Sequence, residues 1–157
     1  MNFYEYDADV YDDSELPVFF SSAVLEHNEE SAFLHWHEAT ELLFCTEGSG
    51  IAVSDTLKIP IKAGELAVIN PNRLHTFYAP KFCRYSYFLV SPLLTAVRDM
   101  PKEEIQLFIA DQETARRLRE ILGELEEKPP FYRAEACAKL SPFLAQNRLL
   151  HFSGNLI

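Results

Sequence analysis

The sequence predicts a mainly β fold, a sandwich or barrel, followed by helices. Two observations carry that expectation. Between about Pro17 and Val90, short runs of branched and aromatic residues alternate with turn-forming residues, the pattern of many short strands in a closed or stacked sheet. Beyond Pro92 the apolar residues recur at helical spacing instead. At 157 residues the chain is of single-domain size and long enough to bury its own core. It divides into an acidic N-terminal arm, 1–16, a β part, 17–95, and a helical C-terminal segment, 96–157.

The arm, MNFYEYDADVYDD at its start, has neither the basic beginning nor the apolar centre of a signal peptide. PVFFSSAVL opens the β part. ELLFC, GIAV, ELAVI and RYSYFLV read as further strands, separated by the turn-forming EGSG, SDT, KAGE and NPN. In LKIPIKA, Leu57, Ile59 and Ile61 alternate with Lys58, Pro60 and Lys62. This is a half-buried strand, and its proline places it at an edge or an end. In DQETARRLREILGELEEK, Ala115, Leu118, Ile121, Leu122 and Leu125 make one helical stripe, with Asp111 as its N-cap and Pro129-Pro130 after its end. A second helix starts near Tyr132 and carries Ala136, Leu140, Phe143 and Leu144. Ser141-Pro142 marks a kink or a fresh start within it.

Charge and cysteine usage exclude several function classes. With 14 basic against 24 acidic residues and a net charge of -10, the chain lacks the cations that phosphate binding needs, so no nucleic-acid binding by this chain is expected. Arg116, Arg117 and Arg119 cluster on the solvated face of a helix. Apolar runs such as Leu42–Cys45 are far short of a membrane span. Cys45, Cys83 and Cys137 are scattered and odd in number, which suggests reduced, packed thiols in a cytoplasmic protein.

The chemistry concentrates in HWHEATE, residues 35–41. In a continuous strand His35, His37 and Glu41 would share one face with Ala39, while Trp36, Leu42 and Phe44 would share the other. Imidazole and carboxylate groups directed into a barrel must be hydrogen-bonded or metal-bound to be tolerated. An HxH pair alone is common by chance. The later segment KAGELAVINPNRLHTF adds weight by delivering His75 after a proline-containing turn. His27 reads as a loop residue and His151 as a cation at a helix end.

Together these residues resemble the two motifs of the cupin family. His35, His37, Glu41 and Gly48 stand in the register of its first motif. Asn70, Pro71, Asn72, Arg73, Leu74 and His75 stand in that of its second, Pro-x-Gly-x-x-His. The histidine matches, whereas Asn70 replaces the motif's proline and Asn72 its glycine. Asparagine also tolerates the left-handed backbone that a tight turn needs. The resemblance implies a cupin double-stranded β-helix, a jelly-roll barrel, with His35, His37, Glu41 and His75 as ligands of one divalent metal. Zinc, manganese, iron, nickel and copper all suit such a donor set.

An acidic arm, one cupin barrel and two amphipathic helices resemble the N-terminal effector-binding and dimerisation domain of AraC-type transcription regulators. That likeness implies a small-molecule effector, a homodimer paired through its helices, and DNA contacted only through a helix-turn-helix domain that this sequence does not contain. Phe77, Tyr85, Tyr87 and Arg73 are candidate effector-pocket residues, and Leu118, Ile121, Leu122 and Leu125 are candidate dimer residues. The competing expectation is a small metal-dependent cupin enzyme of isomerase or dioxygenase type, which would use the same four ligands. The long helical segment, more than a barrel enzyme needs, favours the sensor.

Overall fold

Alternation along the chain decides what each strand faces. The computed structural model describes residues 5–6, 18–30, 34–54, 57–91, 105–109, 112–140 and 142. Its strands are β1 (Glu5–Tyr6), β2 (Val18–Glu26), β3 (Glu29–Glu30), β4 (His35–Trp36), β5 (Thr40–Ser54), β6 (Leu57–Lys62), β7 (Glu65–Ile69), β8 (His75–Ala79), β9 (Phe82–Val90) and β10 (Ile105–Ile109). Two helices follow, α1 (Gln112–Glu127) and α2 over 132–140.

Two sheets share β5. Its first half pairs with β7 and β9, and these carry β10 and β2 at the outer positions. Its second half pairs with β6 and β8, and β8 carries β3 and β4. All these pairings are antiparallel, except that β1 runs parallel to β4. The curled, two-sheeted arrangement is the expected cupin jelly roll, with helices after the barrel.

The changeover within β5 falls where a turn was expected. EGSG does not break the chain into two strands. Instead a bulge displaces the register with β9 between Cys45 and Glu47, and Gly48 takes a left-handed φ of 75°. A side chain at Gly48 would place its Cβ 2.3 Å from the Phe82 carbonyl oxygen, so glycine is required there twice over.

The interior and the flank are two separate cores. Leu43, Cys45, Ala67, Ile69, Tyr85 and Cys83 from one sheet meet Ala52, Ile61, Phe77 and Ala79 from the other. On the outer face of the first sheet Leu42, Phe44, Leu66, Val68, Phe88 and Val90 pack against the helices. The continuous apolar run LLFC of β5 is explained by burial on both faces. β6 meets a β-partner only in β5 among the described residues, so Pro60 occupies the edge position expected of it.

The helical stripe corrects one expectation. Leu118, Ile121, Leu122 and Leu125 are buried against this chain's own sheet, at 0–8% exposure, and are therefore not available as a dimer seam. Each such burial contributes roughly 1.5–3 kcal/mol to the monomer fold. The opposite face is the solvated one, where Glu113 pairs with Arg116 and Arg117, and Arg116 with Glu120. α1 ends at Lys128, whose φ of 48° is left-handed and whose amide bonds the Glu124 carbonyl. Glu124 and Lys139 then tie α1 to α2. No helix among the described residues is long and apolar enough to cross a membrane. The strand β10 lies in a stretch that the helical period did not mark. Asp111, Ser141, Phe143, Leu144 and His151, and the arm apart from Glu5–Tyr6, lie outside the described residues.

Candidate metal centre

The HWHEATE segment reaches its geometry by a different route from the one that alternation predicts. It is not one strand. β4 ends at Trp36, residues 37–39 leave the ladder, and β5 begins at Thr40. Trp36 is not covered on a second face but 37% exposed. Three elements and one linker instead bring the donors together. His35 on β4 stands directly opposite His75 on β8. Glu41, at the start of β5, stands opposite Ile69 on β7 and Leu89 on β9, on the interior face. His37 comes from the break between β4 and β5. The donors therefore bridge both sheets at one end of the barrel.

The donor atoms of His35, His37, Glu41 and His75 all lie within 4.8 Å of one another. His37 and His75 are 2% exposed and Glu41 is 7% exposed, while His35 is half-buried. The second-motif turn docks on the first motif, for Asn72 donates its amide to the His37 carbonyl at 2.8 Å. Asn72 holds the left-handed φ of 60° that the family's glycine position calls for.

Hydrogen bonding fixes the protons. His37 Nδ1 is 3.0 Å from the Ala39 carbonyl and His75 Nδ1 is 2.6 Å from the Arg73 carbonyl. Carbonyls only accept, so both Nδ1 atoms carry hydrogen and both Nε2 atoms turn inward. His37 Nε2 is fully buried, has no hydrogen-bond partner among the described residues, and makes an ion pair with Glu41 Oε2 at 3.5 Å. His75 Nε2 meets the same oxygen at 2.9 Å. Acceptors on both of its nitrogens favour the imidazolium form of His75. Burial works against that charge, but the hydrogen bond and charge of Glu41 outweigh it and raise the His75 pKa. For Glu41, burial favours the neutral acid, and the two histidines outweigh it, holding the carboxyl well below the usual carboxylate range.

This donor set fits a divalent cation. Bonds of about 2.1 Å place neighbouring donors roughly 3–3.5 Å apart, a modest contraction from the spacing seen. Backbone carbonyls already orient two of the imidazoles, as outer partners of metal-bound histidines do. A buried Nε2 on His37 that meets only a carboxylate oxygen at 3.5 Å among the described residues is otherwise costly.

The remaining sequence candidates divide. Phe77 and Tyr85 are in the interior, 2–3% exposed, with ring centroids 5.0 Å apart. Tyr87 stacks on Tyr85 at 5.9 Å and meets Phe19 at 6.1 Å. Arg73 contributes its carbonyl to His75. His27 is the loop residue expected, with φ 50° in the turn between β2 and β3 and a side chain 90% exposed. The sequence reading missed Ser54, which is fully buried and stands opposite His75 on β5. Its hydroxyl has no hydrogen-bond partner among the described residues.

The profile described as the AraC-like ligand binding domain matches residues 22–144. The chain belongs to this family. Comparison with curated protein sequences finds no match. Among solved structures, an apo ToxT variant from Vibrio cholerae strain SCE256 matches the AraC-like domain with a TM-score of 0.69 at 12% identity, over 90% of this chain and 59% of its own. ToxT from Vibrio cholerae O395, bound to (E)-4-(8-methylnaphthalen-1-yl)but-3-enoic acid, matches with 0.63 at 8% identity over 83% and 56%. Unsaturated-fatty-acid-bound wild-type ToxT from strain SCE256 matches with 0.58 at 10% identity over 82% and 52%. At these identities the likeness is one of fold. This AraC-like chain spans between half and three fifths of the ToxT chains.

Proposed function

We propose that the chain is the effector-sensing part of a cytoplasmic AraC-type transcription regulator, with a divalent metal held by His35, His37, Glu41 and His75 as the polar anchor of its ligand site. The observation that carries this reading is the convergence of four donors from both sheets, with the buried Nε2 of His37 and that of His75 both turned toward one Glu41 oxygen. A bound cation supplies an electrophilic anchor for an oxygen donor on the effector. The chain's own residues position it: Ala39 and Arg73 hold two imidazoles through their carbonyls, and Glu41 balances the charge. Phe77, Tyr85 and Tyr87 line the interior beyond the donors with aromatic surface, suited to an effector that joins a polar head to a small apolar body. The four donors would serve a metal-dependent isomerase or dioxygenase equally well, and the family match favours the sensor.

Elemental analysis of untagged protein tests the anchor. Wild type should carry metal and the His37→Ala, His75→Ala double variant none; equal content in the two removes the metal from the proposal.

β1 lies along β4 with Glu5 opposite His35 in the backbone register, which supports a role for the arm at the site. We therefore expect the arm to help cover the effector. A thermal-shift screen of organic acids, phenolics and sugars should give a hit, worth about 2.7 kcal/mol at a hundred times its dissociation constant. Removing residues 1–16 should weaken that hit, and unchanged affinity would exclude the arm. Homodimerisation belongs to this reading through a surface other than the α1 stripe, and DNA contact through a separate domain, in keeping with the net charge of -10.

A further inference from the structure

We propose that Cys45 and Cys83 are a reversible redox pair, which a peroxide oxidises to a disulfide that staples β5 to β9 inside the barrel. Their sulfurs lie 3.5 Å apart. Both side chains are fully buried, in the core between the sheets. A disulfide bond is about 2.05 Å long, so closure asks for about 1.5 Å of sulfur movement.

Cys45 stands opposite Tyr85, two residues from Cys83, and such diagonal neighbours are normally about 7–8 Å apart at Cα. The bulge at Cys45–Glu47 and the absent side chain of Gly48, against the Phe82 carbonyl, let β5 and β9 approach at this point. Cys45 also approaches the Glu47 and Gly48 carbonyls, at 3.5 and 3.6 Å, and Cys83 the Arg84 carbonyl, at 3.8 Å. The hydrogen bond from Cys83 favours the thiolate at Cys45 and pushes the Cys83 thiol up. Cys45 is therefore the first nucleophile.

The chemistry balances. The Cys45 thiol loses its proton and its sulfur attacks one peroxide oxygen; the O–O bond breaks, releasing one water and leaving a sulfenic acid. The Cys83 sulfur attacks the Cys45 sulfur, the S–O bond breaks, and the departing hydroxyl takes the Cys83 proton as a second water. Two thiols lose two electrons in all, and one peroxide is reduced to two waters. A small dithiol reverses the bond by thiol–disulfide exchange.

Cys137, on α2 and half-buried, serves as an internal comparison. The native chain would be treated with hydrogen peroxide until Cys137 has reacted, then read by thiol titration, intact mass and peptide mapping. We expect Cys45 and Cys83 to be lost together as one cross-linked peptide, lighter by two hydrogens, and both thiols to return with dithiothreitol. If both stay reduced while Cys137 reacts, if either gains oxygen without a cross-link, or if the link forms only to Cys137, the proposal is overturned.

Discussion

His75 answers to two acceptors at once, and its protonation decides how the centre behaves with pH. In metal-free protein the His75–Glu41 pair stabilises the fold through both shifts. The part due to His75 is fully present below its ordinary 6.5 and fades as pH rises through its raised folded value. The part due to Glu41 is present above its ordinary 4.5 and fades as pH falls through its lowered folded value. Both are present between those two ordinary values. Urea unfolding of chelator-treated protein should therefore show the gap between wild type and His75→Ala at its widest between the two ordinary values, 4.5 and 6.5, and narrower as pH rises through the raised His75 value. A gap independent of pH would deny the imidazolium. Metal affinity should run the other way, rising with pH, because the proton on His75 Nε2 must leave before the nitrogen can ligate. The four donors were legible because residue type and register survive in the sequence. The proton inventory was not, since it depends on the Ala39 and Arg73 carbonyls, and backbone groups leave no trace in side-chain pattern. Ser54 was hidden for a related reason: only strand pairing places it opposite His75.

Among the elements, β5 departs furthest from its sequence signature. Turn chemistry at EGSG suggested two short strands, because glycine marks bulges and turns alike. Which of the two forms is decided by β9, whose ladder continues through the bulge to Gly48. β4 failed in the opposite sense, since alternation in HWHEATE read as an unbroken strand where His37 steps out of the ladder to face the barrel end. Gly50 gives a test of how tightly β5 is held. A Cβ there would lie 2.2 Å from the Phe77 ring, so Gly50→Ala should cost roughly 1–3 kcal/mol through overpacking. Pairing it with Phe77→Leu should return much of that loss, whereas additive effects in chemical denaturation would mean that the ring simply swings aside.

At the scale of the whole molecule, helical period foretold α1 and its apolar stripe but not the partner of that stripe. Amphipathicity says that a face is buried and never against what. Only the packing shows Leu118 enclosed with Leu42, Phe44 and Val90. Leu118→Asp should accordingly cost at least about 3 kcal/mol in monomer stability, read as a lowered urea midpoint. Light scattering should show no change of mass in the protein that remains folded. A well-folded variant of halved mass would restore the helix stripe as a dimer seam.

The two-faced character of β5 carries a consequence for signalling. Glu41 and Leu43 look into the barrel while Leu42 and Phe44 press on the helices, so a single thickness of backbone separates Glu41 from the flank that α1 covers. That strand is a diaphragm between chemistry and mechanics. Whatever draws Glu41 inward by a fraction of an ångström must tilt its neighbour Leu42 beneath the helix, because close-packed side chains pass strain on rather than absorb it. We therefore expect an occupied centre to be felt on the barrel's outer flank without any hinge, across a distance of one residue.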